Sequence, residues 1–179
     1  MKDREVTLQE ILNFRETKAM EQERLCHLYK DSVIIGLGMN IPGPIKHTPS
    51  VFHLFEDGMA KLEAIISQSG GVIKEKSIMN EHAGLAAVYS VTGTDAYVLK
   101  KESISLENSH PCGRLFDIDI FNRDGSSIKR EQIGFPKRKC LLCNCDAKIC
   151  GRSRAHSIQE LTDHVWKMIE SWEKQYDIK

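Results

Sequence analysis

The residues best suited to chemistry form a short alternating run, Phe116-Asp117-Ile118-Asp119-Ile120. Side chains of a strand alternate between its two faces, so both carboxylates leave one face while the three apolar residues enter the other. Neighbouring carboxylates repel each other, and a divalent cation removes that repulsion. Mg²⁺ held by one or two carboxylates together with substrate phosphates is the arrangement that serves phosphoryl and nucleotidyl transfer. The alternative is an edge strand with a solvated acidic face.

A basic stretch follows. Lys129, Arg130, Lys137, Arg138, Lys139, Lys148, Arg152 and Arg154 stand against only Glu131 and Asp146, a local excess of six positive charges. Arginine forks bind phosphate bidentately, so the stretch suits a polyphosphate leaving group, with a solvated charged face as the alternative. Nucleic acid is a poorer match, because Phe135 is the only aromatic residue there for base stacking.

Within the same stretch, Cys140-Leu141-Leu142-Cys143 has the spacing of a ligand pair. Together with Cys150 and His156 it offers four donors for zinc, although reduced structural thiols account for the same residues without a metal. A thioredoxin-like redox role fits less well, since the pair follows a basic loop and does not open a βαβ helix. A zinc module that binds nucleic acid or protein is therefore the rival to an enzyme. Lys46 follows the rigid loop Asn40-Ile41-Pro42-Gly43-Pro44 and is a further cation for phosphate. His110 and Cys112 have the types of a nucleophilic pair.

These groups need elements to hold them. Thr7 and Glu10 have capping-box spacing before Leu8, Ile11, Leu12, Leu25, Leu28 and Tyr29, which predicts a helix over about 8–29. An apolar strand over 32–39 and a helix from Ser50 to Gly70, with Val51, Phe55, Met59, Leu62 and Ile66 inward, come next. Strands at 72–79 and 85–91 precede a helix opened by Thr94, with Ala96, Leu99, Ser103 and Leu106 inward. Arg114 to Phe121 is a strand, Asp124-Gly125 a turn, 130–156 an irregular Cys-rich stretch, and Ser157 to about Tyr176 the last helix. The class is α+β.

The 179 residues balance 25 basic against 25 acidic side chains, so no global field draws the chain to nucleic acid or membrane. Twelve charges in the first thirty residues argue against a secretory signal, and the longest apolar stretch, Val33 to Met39, is far short of a membrane span. The expected location is the cytoplasm, where cysteines stay reduced.

Three ordered motifs together resemble one family. They are Asn40-Ile41-Pro42-Gly43-Pro44 with Lys46; His110-Pro111 with Gly113-Arg114-Leu115 and the acidic strand; and Arg138 with Cys140, Cys143, Cys150, Arg152-Ser153-Arg154 and His156. The family is citrate lyase holo-acyl-carrier-protein synthase, the phosphoribosyl-dephospho-coenzyme A transferase that matures citrate lyase. The resemblance implies a single domain over 1–179 of nucleotidyltransferase type, with a mixed sheet, flanking helices and the Cys-rich basic segment 130–156. It implies transfer of the phosphoribosyl-dephospho-coenzyme A group of 2′-(5″-triphosphoribosyl)-3′-dephospho-coenzyme A to a serine of the acyl carrier protein subunit, with loss of pyrophosphate. Asp117 and Asp119 would hold Mg²⁺, Arg114 would assist catalysis, and Lys46, Arg138, Arg152 and Arg154 would bind substrate. Cys112 and Cys145 depart from the family pattern, and Asp124 and Glu131 compete as a third carboxylate. The glycine-serine motif usual in nucleotidyltransferases has Thr92-Gly93-Thr94 as its nearest substitute.

Overall fold

In the computed structural model, which describes residues 4–177, the elements follow the order read from the sequence. Helix α1 (Leu8–Leu28) opens on the expected capping box: Thr7 N donates to Glu10 Oε2 at 2.8 Å and Glu10 N to Thr7 Oγ1 at 3.3 Å. Then come β1 (Val33–Met39), α2 (Pro49–Gln68), β2 (Val72–Glu81), β3 (Gly84–Thr92), α3 (Ala96–Ser109), β4 (Phe116–Phe121), α4 (Ala147–Ser153) and α5 (Ile158–Gln175). Asp95 rather than Thr94 caps α3, accepting from Tyr97 N at 2.8 Å. A 3₁₀ turn, Gly113–Leu115, takes up the expected start of β4. The stretch expected to be irregular contains α4, which Asp146 caps by accepting from Lys148 N at 2.7 Å.

The expected mixed sheet is corrected: the four strands lie in the order β2-β3-β1-β4 and every neighbouring pair is antiparallel. Each helical crossover skips a strand, α2 carrying the chain past β3 and α3 carrying it past β1. Strands of the same direction therefore never touch. This β-α-β-β-α-β path is the split βαβ, ferredoxin-like arrangement.

Helices α2, α3 and α5 cover one face of the sheet. Val51, Phe55, Leu62 and Ile66 of α2, Leu99 of α3 and Val165, Ile169 and Trp172 of α5 share one core with Ile35, Leu37, Tyr89, Ile118 and Ile120. Helix α1 covers the other face, where Leu25 packs on Ile34 and Val88. Its apolar spacing does not mark this buried face, since Leu8, Leu12 and Leu28 are exposed. The residues facing the sheet are Phe14, over Gly84 of β3, Lys18 and Gln22, over Gly38 and Gly36 of β1, and Leu25; the glycines leave room for the long polar side chains.

Candidate active site

Asp117 and Asp119 leave the α1 face of β4, while Phe116, Ile118 and Ile120 are buried on the other, as strand alternation requires. β4 is an edge strand, so its outward carbonyls need partners. Lys100 Nζ donates to Ile118 O at 2.9 Å, Arg138 Nη2 to Phe116 O at 3.1 Å, and Ile128 N to Ile120 O at 2.9 Å. Two of those partners are cations, so sealing the edge also brings positive charge beside the carboxylates. Arg138 Nη1 stands 3.6 Å from Asp117 Oδ1.

Across from the carboxylates, β1 itself carries no side chains. Antiparallel register sets Gly38 against Asp117 and Gly36 against Asp119. Glycine inside a strand weakens it and often marks close approach by a ligand or another chain segment. Here the space is entered by α1: Lys18 Nζ lies 3.2 Å from the point where a Gly38 Cβ would stand, and Gln22 Nε2 takes the equivalent place over Gly36.

Three depressions meet at Asn40, which lines all of them. The smallest, about 160 Å³, runs beneath α1 between Arg15, Lys18, Lys46 and Asp117. A second, about 360 Å³, wraps the β4 edge and is lined by Asp117, Asp119, Lys100, Arg130, Glu131 and Arg138. The third, about 310 Å³, lies against the Cys-rich segment and combines Arg114, Arg138 and Arg154 with Leu141, Ile158 and Leu161. Asp117 is common to the first two and Arg138 to the last two.

Arg138 is held from behind. Glu107 of α3 is only 2% exposed and accepts from Arg130 Nη2 at 2.9 Å and from Arg138. Two guanidinium groups thus satisfy one buried carboxylate, which desolvation would otherwise make costly. Lys100 is also buried, and desolvation lowers its ammonium pKa while Glu107 and Asp119 work against that.

The remaining expected residues divide. Lys46 Nζ donates to Ile41 O at 2.5 Å, and Lys46 lines the α1 cleft together with Asp117. Burial, and then the Arg15 charge, hold Lys46 below the usual lysine range. Arg114 donates to Lys139 O and belongs to the third depression, away from the carboxylate pair. Arg154 lines the same depression, whereas Arg152 is exposed on α4 and lines none of the three. Of the competing third carboxylates, Glu131 shares the β4-edge depression; Asp124 lies at the opposite end of the sheet with Thr94 and accepts from Ser126 N at 2.8 Å.

Cys140, Cys143, Cys150 and His156 do converge: their donor atoms all lie within 4.8 Å of one another. Cys143 Sγ is 3.5 Å from Cys150 Sγ and 3.3 Å from His156 Nε2. The His156 contact pulls the Cys143 thiol down to about 6, helped by the Cys145 amide, whereas its bond to Cys143 pushes the Cys150 thiol up to about 12. Three sulfurs and one imidazole nitrogen at this spacing can enclose a tetrahedral metal ion. Cys145 is exposed and outside the set.

His110 and Cys112 are not a nucleophilic pair. Cys112 N donates to His110 Nδ1 at 3.0 Å, so Nε2 carries the ring proton toward Asp57 Oδ2, 2.8 Å away. Burial pushes the Cys112 thiol up to about 12, and Sγ lies 3.5 Å from Met168 O. The ring anchors the turn ahead of β4.

Residues that the sequence reading passes over are Arg15, Lys18, Asn40, Lys100, Glu107 and the two β1 glycines. The glycines left a signal: Gly36 and Gly38 repeat the two-residue spacing of Asp117 and Asp119 on another strand. Lys100, Ser103 and Glu107 also share helical spacing on α3, a pattern equally compatible with a solvated face.

The carboxylate pair is thus set among three depressions lined by cations, an arrangement suited to charged phosphate groups. The chain matches the family model described as apo-citrate lyase phosphoribosyl-dephospho-CoA transferase over residues 6–172, and it belongs to that family. It is 30% identical over 170 residues to the "Probable apo-citrate lyase phosphoribosyl-dephospho-CoA transferase" of Streptococcus pyogenes, covering 93% of this chain and 87% of that one. The protein of the same name from Vibrio cholerae is 30% identical over 171 residues, covering 95% of both. "Protein CitXG" of Leuconostoc mesenteroides subsp. cremoris is 32% identical over 170 residues, which is 94% of this chain but 36% of that protein, so the chain spans about a third of that relative. Among the described residues no helix is long and apolar enough to cross a membrane.

Proposed function

We propose that this chain transfers the phosphoribosyl-dephospho-coenzyme A group from 2′-(5″-triphosphoribosyl)-3′-dephospho-coenzyme A to a serine of the apo acyl carrier protein subunit of citrate lyase. The observation that carries the reading is the family match over residues 6–172, which encloses the whole carboxylate and cation face. The reaction is a nucleotidyltransferase-type displacement within one domain, carried out in the cytoplasm.

The serine oxygen attacks the α-phosphorus, the bond to the bridging oxygen of the β-phosphate breaks, and pyrophosphate leaves with that oxygen; the hydroxyl proton passes to solvent. The carboxylates of Asp117 and Asp119 share a face and both line the β4-edge depression, so the pair fits Mg²⁺ bound together with phosphate oxygens. Such an ion, when bound, neutralises charge on the transferred phosphate. Arg138, fixed by Glu107, stands beside Asp117 to meet a phosphate oxygen. Arg114 and Arg154 suit phosphates of the coenzyme A portion, and Leu141, Ile158 and Leu161 its less polar parts. The Cys140, Cys143, Cys150 and His156 set suits zinc, which would staple the segment that carries Arg138 and Arg154.

The test is the intact mass of apo acyl carrier protein after incubation with the chain, Mg²⁺ and the triphosphoribosyl donor. A gain equal to the phosphoribosyl-dephospho-coenzyme A group is expected with the native chain and not with Asp119→Asn. No gain from folded native protein overturns the reading.

A further inference from the structure

The cleft beneath α1 gathers three cations. Lys18 reaches over Gly38, Lys46 lines the cleft with its ammonium bonded to Ile41 O, and Arg15 stands one helical turn before Lys18 at the rim. Among the described residues none of the three forms an ion pair within 4.0 Å. Among the described residues Asp117 is the only carboxylate in the lining, and it also lines the β4-edge depression. The repulsion between Arg15 and Lys46 is consistent with cations gathered in one cleft.

Size separates this cleft from its neighbours. At about 160 Å³ it is too small for the organic part of a coenzyme A derivative, given that drug-sized ligands occupy roughly 300 Å³ or more. The other two depressions, about 310 and 360 Å³, reach that range. Three convergent cations in a small cleft match a compact, multiply charged anion, and the shared Asp117 puts such an anion next to the carboxylate pair.

We infer that the α1 cleft is the pyrophosphate site: Arg15, Lys18 and Lys46 hold the β- and γ-phosphates of the donor and retain them as the leaving group. The inference rests on the proposed transfer for its direction across Asp117. The cleft's affinity for a condensed phosphate is measurable apart from that transfer. Holding pyrophosphate on this side leaves the β4 edge and the third depression for the transferred group and the incoming serine.

Titration calorimetry of the full chain with inorganic pyrophosphate and Mg²⁺ tests it. Binding to the native chain is expected, with Kd raised about tenfold by Lys18→Met and by Arg15→Gln, in line with one charge-assisted hydrogen bond each. Lys129→Gln and Lys148→Gln, at the β4-edge depression, are expected to change it less than about twofold, as their cations lie outside the cleft. Thermal unfolding of each variant establishes that it is folded. No pyrophosphate binding by the native chain, or binding that follows Lys129 and Lys148 but ignores Arg15 and Lys18, overturns the inference. The mass assay separates the two readings: transfer insensitive to Lys18→Met sinks the cleft alone. Pyrophosphate binding that depends on Lys18, without any transfer, supports the cleft and sinks the donor and acceptor.

Discussion

The sheet and the Cys-rich segment hold catalytic candidates by different means. β4 is fixed on its inner face by Phe116, Ile118 and Ile120, all buried in the main core, so Asp117 and Asp119 stand on a platform that hydrophobic burial keeps rigid. Between Lys129 and His156 only Cys150 is buried. That segment is tied by short hydrogen bonds, Cys140 N to Cys145 O at 2.8 Å and Ala147 N to Arg138 O at 2.9 Å, and by the four-donor cluster. A stretch that buries so little apolar surface gains little from the hydrophobic effect and depends on a metal or on ion pairs for order. Glu107 is the joint between the two regions, since it rises from the core helix α3 and grips Arg130 and Arg138 of the segment.

The comparison breaks most sharply at the carboxylates. Asp117→Asn and Asp119→Asn are each expected to slow transfer at least about 1,000-fold, roughly 4 kcal/mol of barrier, with the unfolding midpoint essentially unchanged. Unimpaired transfer in both variants removes the metal assignment. Next in size is the joint. Glu107→Ala leaves Arg130 and Arg138 without their buried partner and is expected to cost about 3–5 kcal/mol in denaturant unfolding. A loss below about 1 kcal/mol would mean that the segment is anchored elsewhere.

The four-donor cluster distinguishes the two regions directly. Chelation, or Cys143→Ser, is expected to raise amide exchange across 138–156 by at least about tenfold, while the amides of β1 and β3 keep their protection. Equal loss in both regions would show that the cluster supports the whole fold. The smallest effect belongs to the core side. Burial holds His110 below its usual value, against the pull of Asp57, so its neutral form is favoured in the folded chain. The unfolded chain then binds more protons, and this contribution, complete above about pH 6.5, is lost as pH falls through the folded pKa. The slope of unfolding free energy over that range should flatten in His110→Asn and be unaffected by chelator; a slope unchanged in the variant assigns it to another group.

Much of this was legible in the residues. The placement of Asp117 and Asp119 on one face followed from period-two alternation, which any strand imposes. Helix α1 followed from the Thr7 and Glu10 cap and α2 and α3 from apolar spacing, and the α5 range was placed at Ser157 to about Tyr176. The buried face of α1 did not follow, because Lys18 and Gln22 face the sheet over glycines of another strand. Nothing in the local sequence marks Glu107, because its partners Arg130 and Arg138 lie more than twenty residues on.

Local chemistry thus determined most of the element types, the shared face of the acidic pair and the four candidate metal donors by type and spacing, since each depends on residues close in the chain. Tertiary structure decided the antiparallel order β2-β3-β1-β4, the pairing of Gly36 and Gly38 with Asp119 and Asp117, and the meeting of Arg15, Lys18 and Lys46 in one cleft. These are contacts between distant segments, set by how crossovers and packed faces close the chain on itself. Residue spacing carries no record of that distance.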